Sequence, residues 1–448
     1  RASVKTEQNF HAGKILRPRN PRVWAFQITR VHMVFRALKY RNFRIFFFGQ
    51  GISLIGTWMQ YVAMSWLVYK MTNSAFMLGV VGFSSQIPTF ILSPFTGVIA
   101  DRHNRHRIIL FTQTLAMLQA FILAFLTLTG RVAVWHIIVL GVFLGCINSL
   151  DIPARHSFIL EMVEKRKNLG NAIALNSMMF NFARLIGPSI AGVLIAIAGE
   201  GVCFLINAIS YLAVIASLLA MDKEVKIRKD KQGDYDIFKD LKEGFTYVFR
   251  FQPIKAILLL LGTISLMGMS YAVLMPVFAR DVLGGGPHTL GFLMAAVGVG
   301  ALAGTIYLAS MKRAITFGNL LPVSAGVFGI GIVAFSFSYN IWLSLILLVI
   351  SGFGIMVQMA ASNTILQTIV DDDKRGRVMS FYTMAFMGMA PLGSLLAGAM
   401  AVRLGASNTL IISGFCCIIA SVVFVFKIPS LRKILQPIYV KMGIVSEI

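Results

Sequence analysis

Long apolar stretches recur along almost the whole chain and are separated by short polar connections. A bilayer core about 30 Å thick requires roughly 20 apolar residues per helix, and the stretches reach that length. They are too long and uninterrupted for the strands of a closed barrel, which is the other way to satisfy backbone polar groups in lipid. The pattern therefore predicts an all-α polytopic membrane protein with twelve transmembrane helices. The predicted helices are 43–69, 76–100, 108–129, 134–162, 169–198, 202–221, 254–279, 288–311, 318–338, 341–370, 376–402 and 406–427.

One long polar interruption, at 222–252, divides the chain into two halves of six helices. A weak internal echo between 154–188 and 361–391 predicts that the halves are pseudo-symmetric. Between Val23 and Tyr40, apolar and basic residues recur with helical spacing, which predicts a short amphipathic helix on the membrane surface. The predicted organisation is a basic N-terminal segment at 1–42, a six-helix bundle at 43–221, a linker at 222–252, a second bundle at 253–428 and a C-terminal tail at 429–448.

Composition and charge agree with this reading. Hydrophobic residues make up 57% of the chain and charged residues 13%, about half of the roughly 25% usual in soluble proteins. A net charge of +23 would indicate a nucleic-acid partner in a soluble protein, but here the basic residues gather on one side of the predicted membrane. That distribution predicts cytoplasmic termini, no nucleic-acid partner, and attraction to anionic lipid headgroups. The exceptions are Lys70, Arg131, Arg280 and Arg403 on the opposite side, and Arg155 and Arg184 within helices.

Residue patterns of enzymes and metal sites are missing from the sequence. The cysteines Cys146, Cys203, Cys416 and Cys417 fall inside predicted helices without metal-ligand spacing, so we expect them to pack rather than to bind metal. There is no phosphate-binding loop of the Walker A type and no HExxH sequence. We therefore expect neither enzymatic activity nor a cofactor.

Several motifs make the chain similar to a known family. They are Arg36–Arg44, Gly56–Gln60, the loop 97–107, Asp151–Arg155 continuing through Asn171–Asn176 to Gly187-Pro188, and Lys242–Tyr247. The chain resembles the major facilitator superfamily, and within it the branch that contains the bacterial enterobactin exporter and macrolide-efflux proteins. This resemblance implies a twelve-helix fold and export by alternating access.

In that family the loop between helices two and three forms a cytoplasmic gate that breaks as the halves rock. The loop departs from the family pattern at Asn104, usually glycine, and at His106, usually a basic residue. The matching residues, and so the predicted gate, are Gly97, Asp101, Arg102, Arg105 and Arg107.

Asp151 is the predicted proton-coupling residue, because it lies close to mid-membrane on helix four. A charge there is costly, so it must pair, protonate or face water. Arg155 lies one helical turn away, and Arg184 at the middle of helix five is an alternative partner. A carboxylate that exchanges an arginine for a proton between two states provides coupling; a static clamp and a substrate contact remain the other readings. Glu161, near the cytoplasmic end, is expected to be solvated.

Helix five carries Gly187, Pro188 and Gly192, which resemble the exporter-associated motif and predict a kinked face of small residues. Polar and aromatic residues on other helices are expected to line a substrate cavity, although each alone is as well explained by a helix–helix hydrogen bond. These predicted substrate residues are Gln50, Trp58, Gln60, Asn148, Tyr271, Gln358 and Asn363.

Together these features predict a monomeric secondary active exporter in a bacterial inner membrane that moves an amphipathic small molecule outward, with protons as the exchanged partner. A siderophore is the preferred cargo; multidrug or macrolide efflux and lipid or lysolipid flipping are alternatives. A non-transporting membrane sensor or assembly subunit is the alternative from a different class. A mid-membrane carboxylate such as Asp151 argues against it, because a scaffold has no need to keep one.

Overall fold

The computed structural model describes residues 36–163, 168–221, 245–311, 320–371 and 374–441. The predicted surface helix at 23–40 and the linker at 222–252 therefore lie mostly outside the described residues. The described end of the former, Arg36–Lys39, is a single 3₁₀ turn. Everything regular in the described ranges is helical, and the predicted all-α fold is confirmed.

The first half of the bundle contains six helices that match the predicted ones within a few residues. They are α1 (Arg41–Thr72), α2 (Ala75–Arg102), α3 (Arg105–Leu128), α4 (Val134–Glu161), α5 (Leu169–Ala198) and α6 (Glu200–Leu219).

The second half repeats this arrangement, and the twelve-helix fold follows for the described ranges. Over the described ranges of both halves, ten helices are long and apolar enough to cross a membrane, and α9 is a shorter apolar helix. Helix α1 is as long as the others but carries arginines and glutamines among its apolar residues. The helices of the second half are α7 (Gln252–Val282), α8 (Pro287–Ser310), α9 (Leu320–Ser336), α10 (Ile341–Ile369), α11 (Arg375–Leu404) and α12 (Ala406–Lys441).

Helix α12 continues well beyond the predicted end at residue 427, into the segment predicted as a tail. Ile428, Leu431 and Leu435 are buried and lie on one face of the helix, since they are three and four residues apart. This apolar stripe among basic residues packs against the second half and keeps the chain helical past the membrane-spanning part.

Two helices of the second half are irregular near their middles or ends, which the apolar pattern did not predict. In α7 a 3₁₀ turn at Gly268–Ser270 precedes Tyr271, and a π-helical turn covers Phe278–Val282. In α11 a π-helical turn covers Met384–Gly388. Such turns interrupt the regular hydrogen-bond ladder and often mark functional places in a helix.

The two halves meet through α2 against α11 and α5 against α8, where glycines allow backbones to approach closely. A Cβ atom on Gly79 would lie only 2.6 Å from the carbonyl oxygen of Ser394 and 3.1 Å from Cα of Gly398. A Cβ atom on Gly192 would lie 3.0 Å from Cα of Gly291. These contacts lie at the end of the bundle opposite the loop 97–107, here called the distal end; the other is the loop end.

Helices α2 and α11 diverge from the distal end toward the loop end. Gly79, Phe90 and Gly97 lie on one face of α2, because their spacings of eleven and seven residues complete whole helical turns. Gly79 touches α11 closely and Phe90 still contacts Gly388 of α11, whereas none of the described residues comes within 4 Å of a Cβ atom placed on Gly97. The interior between the halves therefore opens toward the loop end.

Candidate substrate and proton site

Asp151 is buried inside the first half, with 3% of its surface exposed. Its Oδ1 accepts hydrogen bonds from the Thr112 hydroxyl and the Gln113 amide of α3, both at 2.8 Å. Its Oδ2 lies 3.3 Å from a guanidinium nitrogen of Arg155, one turn along α4. The burial cost of this charge is offset by the ion pair and both donors, and the described partner of Asp151 is therefore Arg155.

Arg184 lies elsewhere, so the alternative pairing with Asp151 is not what the structure describes. It is near the midpoint of α5, where its guanidinium carbon lies 5.7 Å from the centre of the Trp58 ring of α1. Tyr271, on α7 of the other half, is close enough to Arg184 to interact with it electrostatically. Tyr61 is close enough to interact electrostatically with both Arg184 and Tyr271. The predicted residues Trp58, Arg184 and Tyr271 thus come together at the interface of the halves.

Aromatic rings surround this arginine. Trp58 makes edge contacts with Tyr61, at 5.9 Å between ring centres, and with Phe180, at 5.8 Å. Tyr271 is buried and makes an edge contact with Phe328, at 6.0 Å. Phe180 and Tyr61 were not predicted as site residues, because one phenylalanine or tyrosine among many in a membrane helix carries no distinctive sequence signal.

Gln60, which was predicted to contact substrate, makes its described hydrogen bonds within the first half. Its amide donates to Gln119 of α3 at 3.1 Å, and its oxygen accepts from Asn207 of α6 at 2.7 Å. The three side chains therefore link α1, α3 and α6 within the first half, which is the helix–helix reading left open by the sequence.

The other predicted polar residues are dispersed. Gln358 is buried and donates to Ser362 at 3.2 Å, and Asn363 accepts from Gln367 at 2.7 Å, both within α10. Asn148 is half-buried on α4. Gln50 is buried on α1, and its side-chain oxygen has no hydrogen-bond partner among the described residues. None of these contacts joins them to Arg184.

The predicted gate residues lie at the loop end of α2 and the start of α3. Arg105 pairs with Glu161 of α4, and the Glu161 side chain is only 15% exposed. The prediction that Glu161 is solvated was therefore wrong, because this carboxylate packs against Arg105. Asn104, which replaces the usual glycine, caps α3 by accepting from the backbone N–H of Arg107 at 3.2 Å. The side chains of Arg102 and Arg107 are exposed, and the side chain of Asp101 lies outside the described part of the structure.

The small residues of α5 face two different helices. A Cβ atom on Gly187 would lie 2.9 Å from the carbonyl oxygen of Ile55 in α1, whereas Gly192 faces α8 of the other half. Pro188 lies inside α5, which stays helical from Leu169 to Ala198. Adjacent turns of α5 thus pack against different halves: the turn at Gly187 against its own half and the turn at Gly192 against the opposite half.

At the distal end, side chains join the halves in a way that the sequence reading missed. Tyr69 donates a hydrogen bond to Asp281, and Arg280 donates to the amide oxygen of Asn73 at 3.3 Å. Arg280 also lies over the Tyr69 ring, with its guanidinium carbon 5.7 Å from the ring centre. The sequence signal for these contacts is Arg280, a basic residue on the sparsely charged side of the membrane. The charge distribution alone treats it as an exception to the topology and does not predict its partners.

No group of three or more potential metal-ligating His, Cys, Asp or Glu residues occurs in the described ranges. The four cysteines are free.

A bundle of membrane-spanning helices in two halves, closed at one end and holding buried charges at its centre, is the architecture of a membrane transporter. The family model described as transmembrane secretion effector matches residues 33–437. The chain belongs to this family, within the major facilitator superfamily, so the resemblance predicted from the sequence is confirmed.

Individual relatives cover nearly the whole chain. The Staphyloferrin A transporter of Staphylococcus aureus is 28% identical over 384 residues, 86% of this chain and 95% of that protein. The multidrug efflux pump Tap of Mycolicibacterium fortuitum is 25% identical over 393 residues, 86% of this chain and 93% of that protein. Enterobactin exporters and macrolide efflux proteins are also among the relatives. The chain is thus a multi-pass membrane transporter whose relatives carry small molecules.

A solved structure shares the fold. The bacterial homologue of the human lysosomal transporter Spinster, in an inward-facing and unoccupied conformation, superposes with a TM-score of 0.67 at 14% identity. The match covers 88% of this chain and 98% of that one.

Proposed function

We propose that this protein is a secondary active exporter that moves an amphipathic small molecule outward by alternating access. The observation that carries the proposal is the divergence of α2 from α11, from close contact at Gly79 to open space at Gly97. Alternating access requires such an asymmetry, since a transporter must be closed at one end while the other admits cargo.

The loop end is the cytoplasmic end in this proposal, because the basic residues gather there and basic loops stay in the cytoplasm. Both termini are then cytoplasmic, and the opening faces the cytoplasm, as an exporter needs in order to load cargo. We place the protein in a bacterial inner membrane as a monomer, since one chain supplies both halves of the interface around Arg184 and Tyr271.

A siderophore is the preferred cargo. The Staphyloferrin A transporter and the enterobactin exporters among the relatives are named for siderophores. Multidrug or macrolide efflux is the second candidate, supported by the relatives named for those activities.

Proton antiport is proposed through Asp151. Its pairing with Arg155 at 3.3 Å is of the kind that a proton can replace: protonation removes the negative charge, and Arg155 is then released to another partner. Thr112 and Gln113 donate to the same carboxylate, so an exchange of Arg155 for a proton would rearrange these two contacts as well.

At the loop end, the proposed gate is formed by Gly97, Asp101, Arg102, Arg105 and Arg107. In the described state Arg105 is held by Glu161 of its own half, which is compatible with a gate that is open. Closure would bring the exposed arginines toward the second half.

The test uses everted membrane vesicles, in which the cytoplasmic face points outward, with an acidic interior. Candidate siderophores and macrolides are added, and a fluorescent pH probe follows proton release from vesicles containing wild type or Asp151→Asn. Asp371→Asn is the matched control, because it makes the same carboxylate-to-amide change at an exposed position of the loop end.

Cargo-triggered proton release in the wild type and in Asp371→Asn, lost in Asp151→Asn, is the expected result. If the wild type and Asp151→Asn both accumulate cargo without proton movement, Asp151 is a structural clamp and antiport is wrong.

A further inference from the structure

Arg184 is a cation at mid-membrane without a carboxylate among the described residues. It is near the midpoint of the 30-residue helix α5 and only half-buried. A charge at that depth is costly, so its neighbours must stabilise it. The described neighbours are the Trp58 ring and the Tyr271 hydroxyl, which are both neutral.

The carboxylates with described side chains are all engaged elsewhere. Most are paired within one half or at its ends, and Asp151, the described carboxylate near the middle of α4, is held by Arg155 and two donors of α3. The pairs are Asp151 with Arg155, Glu161 with Arg105, Glu200 with Lys70, Asp281 with Tyr69, and Asp371 with Lys374.

The described neighbours of Arg184 leave hydrogen-bond donors of its guanidinium unused. A guanidinium has five N–H donors in a planar fork, and the Trp58 ring at 5.7 Å together with one nearby tyrosine hydroxyl does not use them all. Trp58 and Phe180 present aromatic surface beside it, and Tyr271 comes from the opposite half, next to the 3₁₀ turn of α7. A molecule bound here would contact both halves, so its contacts would change as the halves move.

We propose that Arg184, with Trp58, Tyr61 and Tyr271, binds a carboxylate group of the cargo, whose apolar part packs on the aromatic rings. A carboxylate matches the guanidinium fork with two parallel hydrogen bonds and supplies the missing negative charge. This inference rests on the proposed transport function, since it names the chemical class of substrate that the interface takes.

The first test compares ligands on unmodified protein. The wild type is placed in lipid nanodiscs and its thermal stabilisation is measured with naphthoic acid and pyrenebutyric acid, each against its own primary amide. A fork-to-carboxylate contact predicts about tenfold to hundredfold tighter binding of the acids. Equal stabilisation by acids and amides of both sizes would overturn the proposal.

The second test uses variants. Arg184→Gln should abolish the preference for acids, and Arg184→Lys, which keeps the charge but not the fork, should retain only part of it. Arg131→Gln, an exposed arginine at the distal end, should bind like the wild type. An acid preference that persists in Arg184→Gln contradicts the proposal; if that variant does not fold, an undiminished preference in Arg184→Lys contradicts it instead.

The same compounds separate this inference from the proposed function. Vesicles that transport acids and amides equally well leave export intact and overturn the carboxylate site. Acid-selective binding that depends on Arg184, without transport of any acid or candidate siderophore, upholds the site and overturns export.

Discussion

Replacing Gly79 by alanine should open the distal end of the bundle. The added Cβ would lie 2.6 Å from the Ser394 carbonyl oxygen and 3.1 Å from Cα of Gly398. Both are backbone atoms of α11 and cannot rotate away, so the helices must separate by roughly 1 Å to restore van der Waals contact.

Overpacking of this kind costs about 1–3 kcal/mol. Because the strain exists only while the distal end is closed, it acts on the equilibrium between the two facing states. The same energy corresponds to a shift of roughly 5- to 150-fold in their ratio, toward the state open at the distal end.

Gly97→Ala is the matched control, since it makes the same change on the same face of α2, where a Cβ meets no atom of the described part of the chain within 4 Å. The gain in helix propensity on replacing glycine is common to both variants and cancels. Spin labels at Arg131→Cys and Tyr339→Cys, on a background without the four native cysteines, report the distal separation of the halves by double electron–electron resonance. Gly79→Ala should populate longer distances and Gly97→Ala should not. Indistinguishable distributions for the two variants would refute the asymmetry.

Two further predictions concern side-chain contacts. Tyr69→Phe removes the donor to Asp281 that joins the halves at the distal end. A hydrogen bond to a charged group is worth about 1.5–3 kcal/mol, so its loss should shift the same label distances outward. Unchanged distances would show that the bond is not part of distal closure. Gln60→Leu leaves Gln119 and Asn207 without their partner. The free energy of unfolding should therefore fall by about 1–3 kcal/mol, while the affinity for cargo stays as in the wild type. A large loss of cargo affinity at an unchanged melting temperature would instead show that Gln60 contacts the substrate.

The helices were predictable because their cause is local. Each apolar run of sufficient length must form a helix in lipid, and predicted and observed bounds agree within a few residues for most of them. The extension of α12 to Lys441 was missed because its stripe of Ile428, Leu431 and Leu435 is too short to register as a spanning segment. The irregular turns of α7 and α11 depend on packing between helices, which hydropathy does not report.

The site was predictable in its residue types but not in its pairings. A carboxylate and two arginines at mid-membrane are conspicuous in any sequence, and Arg155 lies one helical turn from Asp151, so that pair followed from spacing. The separation of Arg184 from Asp151 depends on which face each helix turns inward, and so do the hydrogen bonds of Gln60 to Gln119 and Asn207. The contact of Tyr69 with Asp281 links residues of different halves, and no local pattern encodes it.

The most direct measurement is the direction of cargo movement. A radiolabelled siderophore is offered to everted and to right-side-out vesicles of the same membranes, with and without a protonophore, beside vesicles that lack the protein. Outward transport predicts accumulation in everted vesicles alone, abolished by the protonophore. Accumulation in right-side-out vesicles at an equal or greater rate would contradict export.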